Sequence, residues 1–143
     1  RFQEDSFKPT GRNTQGSIGI RLAEGDELIS MNLVQDNDYI VTISDNGKGK
    51  RSQVDEYKIQ NRGGKGIKTC GSSIHQIAGV IPAKLNDYIL LITNKEGLYP
   101  VSIADLNETA RSGNMYRVFE LEKDEKIIGV LKLPVYFEEE NNI

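Results

Sequence analysis

The sequence predicts an all-β fold of radial, propeller-like repeats, about three blades of four strands each, and three observations carry that expectation. A glycine-arginine motif recurs at intervals of about 50 residues, as Gly11-Arg12-Asn13-Thr14-Gln15-Gly16, Gln60-Asn61-Arg62-Gly63-Gly64-Lys65-Gly66 and Ala110-Arg111-Ser112-Gly113-Asn114-Met115. Shifting the chain on itself by 49 to 50 residues lays Asn37-Asp38-Tyr39-Ile40 on Asn86-Asp87-Tyr88-Ile89, and Leu28-Ile29 on Ile77-Ala78 and then on Ile127-Ile128. Each interval is filled by short apolar stretches bounded by Asn, Asp and Gly, the pattern of a multi-stranded blade.

In the first interval, Ile18-Gly19-Ile20-Arg21-Leu22 alternates and reads as a strand, and Ala23 to Glu27 reads as a turn. Leu28 to Val34 is a second strand, Gln35 to Asp38 a second turn and Tyr39 to Ser44 a third strand. Asp45-Asn46-Gly47 supplies residues that tolerate positive φ in a tight hairpin, and Lys50 to Glu56 reads as the fourth strand. Gln53 to Tyr57 and Val101 to Leu106 have room for a helical turn but are too short for a packed helix. Strands are expected again at Met115 to Leu121 and Lys126 to Leu133. Arg1 to Lys8 reads as the end of an earlier unit, so the chain is expected to be an excised piece holding two and a half to three units.

At 143 residues with 37% hydrophobic and 27% charged content, the chain has the composition of one soluble globular domain. No apolar run is long enough to span a bilayer, so a cytoplasmic protein without a membrane partner is expected. The single cysteine, Cys70, has no partner for an internal disulfide, and with one histidine, His75, soft metal ligands are too few for a zinc site. Charge is segregated beneath the net value of −3. Between Gly47 and Lys68 seven cations face only Asp55 and Glu56, whereas between Glu120 and Ile143 seven carboxylates face three lysines.

The basic segment points to an anion. Glycines at 63, 64 and 66 let the backbone come close, the amides of Gly63 to Gly66 are available as donors, and Arg62 and Lys65 carry charge. Arg12, Lys48, Lys50, Arg51, Arg62, Lys65 and Lys68 are the candidate phosphate contacts, with Gln60 opening the central motif. Contact with about six phosphates would give a slope of log K against log salt near −5. Other chemistry fits poorly. Gly63 to Thr69 resembles a P-loop in composition, but Ile67 stands where a glycine is needed and no helix follows. Asp36 and Asp38 lie in a turn where carboxylates cap backbone, and Tyr39 and Tyr88 occupy matched strand starts. Loops without interleaved aromatics suit duplex backbone better than base reading.

With these residues in view, the chain resembles the C-terminal domain of the bacterial DNA gyrase A protein. The likeness is carried by Phe7 to Gly16, by Gly47-Lys48-Gly49-Lys50-Arg51 through Val54-Asp55-Glu56-Tyr57, and above all by Gln60 to Lys68, which resembles the gyrase A box with Asn61 in place of a further arginine. The resemblance implies a partial β-pinwheel over residues 1–133, in units of approximately 9–58, 59–107 and 108–133, followed by an acidic tail over 134–143 that competes with DNA or merely solubilises. It further implies double-stranded DNA wrapped on a basic rim in support of ATP-dependent negative supercoiling. The implied partners are the rest of gyrase A and gyrase B in an A2B2 assembly, with self-association of this piece through open blade edges. The catalytic tyrosine, Mg2+ and ATP belong to other parts of that enzyme, so no cofactor and no catalysis are expected here. Ala110 to Met115, lacking the lysine or glutamine and the last glycine, is not expected to hold DNA strongly. The alternatives are the related domain of topoisomerase IV and a protein-binding propeller.

Overall fold

A computed structural model of the chain describes residues 1–71 and 76–134, so His75 and the acidic run at 138–140 lie outside the described residues. Among the described residues seven strands form: β1 (Tyr39–Ser44), β2 (Lys48–Gln53), β3 (Ile77–Ala83), β4 (Tyr88–Thr93), β5 (Leu98–Ser102), β6 (Tyr116–Arg117) and β7 (Ile127–Leu133). All pairings between them are antiparallel, in one sheet of order β3-β1-β2-β6 and a second of order β5-β4-β7.

Each sheet is built on a hairpin that cannot complete itself. In the first, β1 and β2 are joined through Asp45-Asn46-Gly47, where Gly47 sits at φ 82 and only a residue without Cβ avoids strain. The other side of β1 is covered by β3, which follows the second copy of the motif, with Tyr39 opposite Ala83 and Val41 opposite Ile81. The second sheet repeats the arrangement about 49 residues on, with β4 between β5 and β7 and Tyr88 opposite Leu133. Even the register irregularity recurs, at Ile43/Ser44 and at Ile92/Thr93. Neighbouring units therefore exchange strands.

The core follows from that exchange. Val41 and Ile43 on β1, Ile89 and Leu91 on β4, Ala83, Ile127, Ile103 and Leu106 form one buried cluster spanning both sheets. Gly79 on β3 lies so close to β7 that an added Cβ would meet Val130 Cγ2 at 2.7 Å, whereas at the matched Gly129 the nearest atom, from Ile92, is 3.5 Å away. A polar latch accompanies each exchanged strand. Asp38 accepts the Gln35 amide at 2.6 Å and pairs with Lys84 Nζ at 2.6 Å; Asp87 accepts the Lys84 amide at 2.7 Å and pairs with Lys132 Nζ at 2.6 Å.

Several elements differ from the sequence expectation. The fourth strand begins at Lys48 and ends at Gln53, and Val54–Glu56 makes a 3-10 turn, as does Ile103–Asp105. The strand expected from Met115 to Leu121 shrinks to Tyr116–Arg117 because only Lys48 and Gly49 lie opposite it. Leu28 to Val34 forms no strand, and Leu28, Ile29, Met31 and Leu33 are exposed. Its counterparts β3 and β7 each lie against a hairpin from the preceding unit, whereas residues 1–27 form no hairpin for Leu28 to Val34 to cover. One four-stranded and one three-stranded sheet thus stand, among the described residues, where a partial set of about three four-stranded blades is expected.

Two outcomes follow from this packing. Gly79→Ala should destabilise by about 1–3 kcal/mol through overpacking against Val130, and Gly129→Ala by much less, as urea midpoints will show. Burial of Asp87 opposes its ionisation, but the Lys132 ammonium and the Lys84 amide outweigh that and hold the carboxyl below its ordinary 3.8. Because the folded value is the lower one, the stabilisation is complete above the ordinary value and is lost as pH falls through the folded one. Thermal unfolding between about pH 5 and about pH 2 should therefore be less acid-sensitive in Lys132→Ala than in the wild type.

Candidate nucleic-acid interface

The central loop is held by backbone. Gln60 N–H donates to Arg1 O at 2.9 Å, Gly63 N–H to Gly19 O at 2.8 Å, and Arg21 N–H to Gly64 O at 2.8 Å, so the loop lies as a short parallel bridge on Gly19 to Arg21. Gly63 and Gly66 adopt φ values of 73 and 75, and a Cβ at Gly66 would come within 3.0 Å of Ile20 Cδ1. The glycines serve this close docking as well as any ligand. In particular the Gly63 amide, expected to face an anion, is already committed to Gly19.

The candidate cations divide into two groups. Arg12, Lys65 and Lys68 are exposed, and Lys48 is half-buried; none of the four makes an ion pair among the described residues. Arg12 sits in a turn closed by the Thr14 amide and hydroxyl, which donate to Gly11 O at 3.3 and 2.7 Å. Gln60 and Gly64 are exposed in the same anchored loop as Lys65. Together these residues present charge to solvent on an anchored backbone.

The others are turned inward. Lys50 is fully buried, and its ammonium donates to Ala110 O at 2.8 Å, Arg111 O at 2.6 Å and Gly113 O at 3.5 Å. Burial lowers its pKa. Three carbonyls thus take the place of the phosphate expected of Lys50, and the residue holds the third copy of the motif against β2. Arg51 is similarly engaged. Its side chain is 14% exposed, donates to Ile103 O and Ala104 O at 2.8 Å each and to Leu106 O, and lies 5.2 Å from the Tyr39 ring centroid. It too is withdrawn from the set of surface contacts. Arg62 is intermediate: its guanidinium donates to Ser6 O at 2.9 Å and stacks 4.5 Å from the Phe7 ring centroid.

Alternation makes Lys48 and Lys50 equivalent in the sequence; the covering turn distinguishes them. Arg111 is a tie that sequence reasoning misses, since its guanidinium donates to Lys68 O and its amide to Glu56 Oε2 at 2.6 Å, joining the second and third motif copies. Among the described residues no cluster of His, Cys, Asp or Glu could hold a metal ion, and no helix is long and apolar enough to cross a membrane.

Known proteins share this geometry. The family model described as DNA gyrase C-terminal domain, beta-propeller, matches residues 1–35, 38–74 and 87–134. The DNA gyrase A protein of Streptomyces coelicolor is 34% identical over 131 residues, covering 90% of this chain and 15% of that protein. The gyrase A protein of Staphylococcus aureus MRSA252 is 31% identical over 145 residues, covering 99% of this chain and 16% of that protein, so the chain spans a small part of the curated relatives it matches. Among solved structures, a DNA gyrase A C-terminal domain superposes with TM-score 0.82 at 25% identity, over 93% of this chain and 46% of that one. A DNA topoisomerase IV C-terminal domain superposes with TM-score 0.83 at 25% identity, over 92% and 42%. Matched by this family model over most of its length, the chain, with its repeated hairpins and glycine-rich loops, belongs to the DNA gyrase C-terminal domain family of β-propellers.

Proposed function

We propose that this chain is a non-catalytic module that binds and wraps duplex DNA without regard to sequence, supporting ATP-dependent negative supercoiling by a whole gyrase in the bacterial cytoplasm. The observation that carries the proposal is the Gln60 to Gly66 loop, pinned at Gln60, Arg62, Gly63 and Gly64 while Lys65 and nearby Lys68 stay exposed. A duplex backbone is a rigid, regularly charged ligand, and cations on a fixed scaffold meet it with little ordering cost. The partners under this proposal are double-stranded DNA, gyrase B and the remainder of gyrase A. ATP and Mg2+ act elsewhere in that assembly, and this module needs no cofactor of its own. The structural likeness to the topoisomerase IV domain supports a second reading, the same module in that enzyme.

With Lys50 and Arg51 withdrawn and Arg62 engaged by Ser6 and Phe7, Arg12, Lys48, Lys65 and Lys68 remain for direct contact, and the slope of log K against log salt on a relaxed, sequence-unrelated duplex should be about −3.6. A slope shallower than about −2 would overturn the proposal. Lys65→Ala should weaken binding uniformly across sequences and reduce the steepness by about 0.9, with an unchanged unfolding midpoint. Lys50→Met should instead leave carbonyls of the 110–113 turn unpaired and lower stability by about 1–3 kcal/mol in urea unfolding.

A further inference from the structure

On the strand pair β2–β6, Lys48 lies directly opposite Arg117. Residues directly opposed on antiparallel strands project from the same face with Cβ atoms about 5 Å apart, and like charges so placed repel. The next pair along, Gly49 and Tyr116, puts the glycine toward the interior, where an added Cβ would meet Ile43 Cδ1 and Val118 Cγ2 at 2.7 Å each. The face carrying Lys48 and Arg117 is therefore the one turned away from the apolar core, and at this end of it Arg117 is exposed and Lys48 half-buried. It is also the face of Lys50, whose charge is answered by carbonyl dipoles and, among the described residues, by no paired carboxylate.

Among the described residues no compensating acid is well placed. Glu120 approaches Arg117 at 4.0 Å, with side-chain exposures of 87% and 57%, a contact of the exposed kind that contributes little. Asp45, near the hairpin turn, is paired with Lys126 at 3.9 Å, and Glu56 accepts the Arg111 amide. On the other side of Lys48, Ser44 offers a neutral hydroxyl that donates to Lys48 O at 3.1 Å. A same-face pair of cations, contributed by two different units and answered among the described residues only by the exposed Glu120, is suited to an external anion.

We propose that Lys48 and Arg117 together clasp a backbone phosphate of duplex DNA, so that the third unit contributes to the interface through Arg117 on β6 even though its motif copy, Ala110 to Met115, serves as internal packing. This rests on the DNA-binding reading above. Arg117 stands 49 residues after Lys68, an exposed cation in the matched position of the second unit. The third unit thus keeps the charge that follows the motif after its turn has been taken up by Lys50.

The test is binding of the whole chain to a relaxed duplex over a salt series, comparing wild type, Arg117→Gln, Arg117→Lys, Lys48→Gln and the Lys48→Gln/Arg117→Gln double variant. Arg117→Gln should weaken low-salt binding several-fold and make the log–log salt slope shallower, and Arg117→Lys should restore most of both. Because both cations act on one phosphate, the double variant should lose less than the product of the two single losses. Glu120→Ala, which frees Arg117 of its nearby carboxylate, should bind more tightly than wild type. Equal affinity and slope for wild type and Arg117→Gln, with Lys65→Ala still weakened, would overturn the clasp alone. Absence of salt-dependent binding by wild type would overturn the DNA-binding reading and the clasp with it.

Discussion

Everything in this chain depends on the incompleteness of its hairpins. β1 and β4 are the most deeply buried strands, and each has only one neighbour from its own unit; the second neighbour, β3 or β7, arrives from the next. An unpaired strand edge leaves backbone donors and acceptors without partners, so exchange between units is a condition of folding and not an embellishment. The Asp38–Lys84 and Asp87–Lys132 latches sit where the exchanged strand ends, and they fix its register by charge where apolar packing alone would tolerate a slip.

The same constraint explains how the glycine-rich motif works. Between units the motif has to run close against the chain of its neighbour, as Gly63 and Gly64 do against Gly19 and Arg21, and as the 110–113 turn does over Lys50. Glycine permits the approach, and an adjacent cation satisfies the carbonyls that the approach turns inward. One composition therefore supports two tasks. In the second unit it anchors a loop that leaves Lys65 and Lys68 in solvent, and in the third it makes a packed joint.

A basic segment is accordingly not one surface. Of the cations between Lys48 and Lys68, Arg51 is an internal tie from β2 to the second unit and Lys50 to the third, and Arg62 ties its loop to Ser6 and Phe7. What is left over projects outward from a scaffold those ties make stiff. The exposed cations are thus held in place by charges that themselves face inward.

The sequence by itself determined the class of fold, the period near 50 residues and the hairpin at Asp45–Gly47, because alternation, turn chemistry and repetition are local and survive in one dimension, and its glycine-arginine motifs carried the resemblance to the DNA gyrase C-terminal family. It also marked Asp38 as a turn carboxylate, which the Gln35 amide bears out. Only the tertiary structure decided which strand covers which hairpin, why Leu28 to Val34 stays unpaired, and which lysine of Lys48 and Lys50 faces solvent. Those outcomes depend on residues 38 to 69 positions away, Val80, Ala110, Arg111 and Arg117 among them, brought into place by strand exchange. Burial of a side chain is set by what lies over it, and for β1, β4 and Lys50 the covering element belongs to another unit.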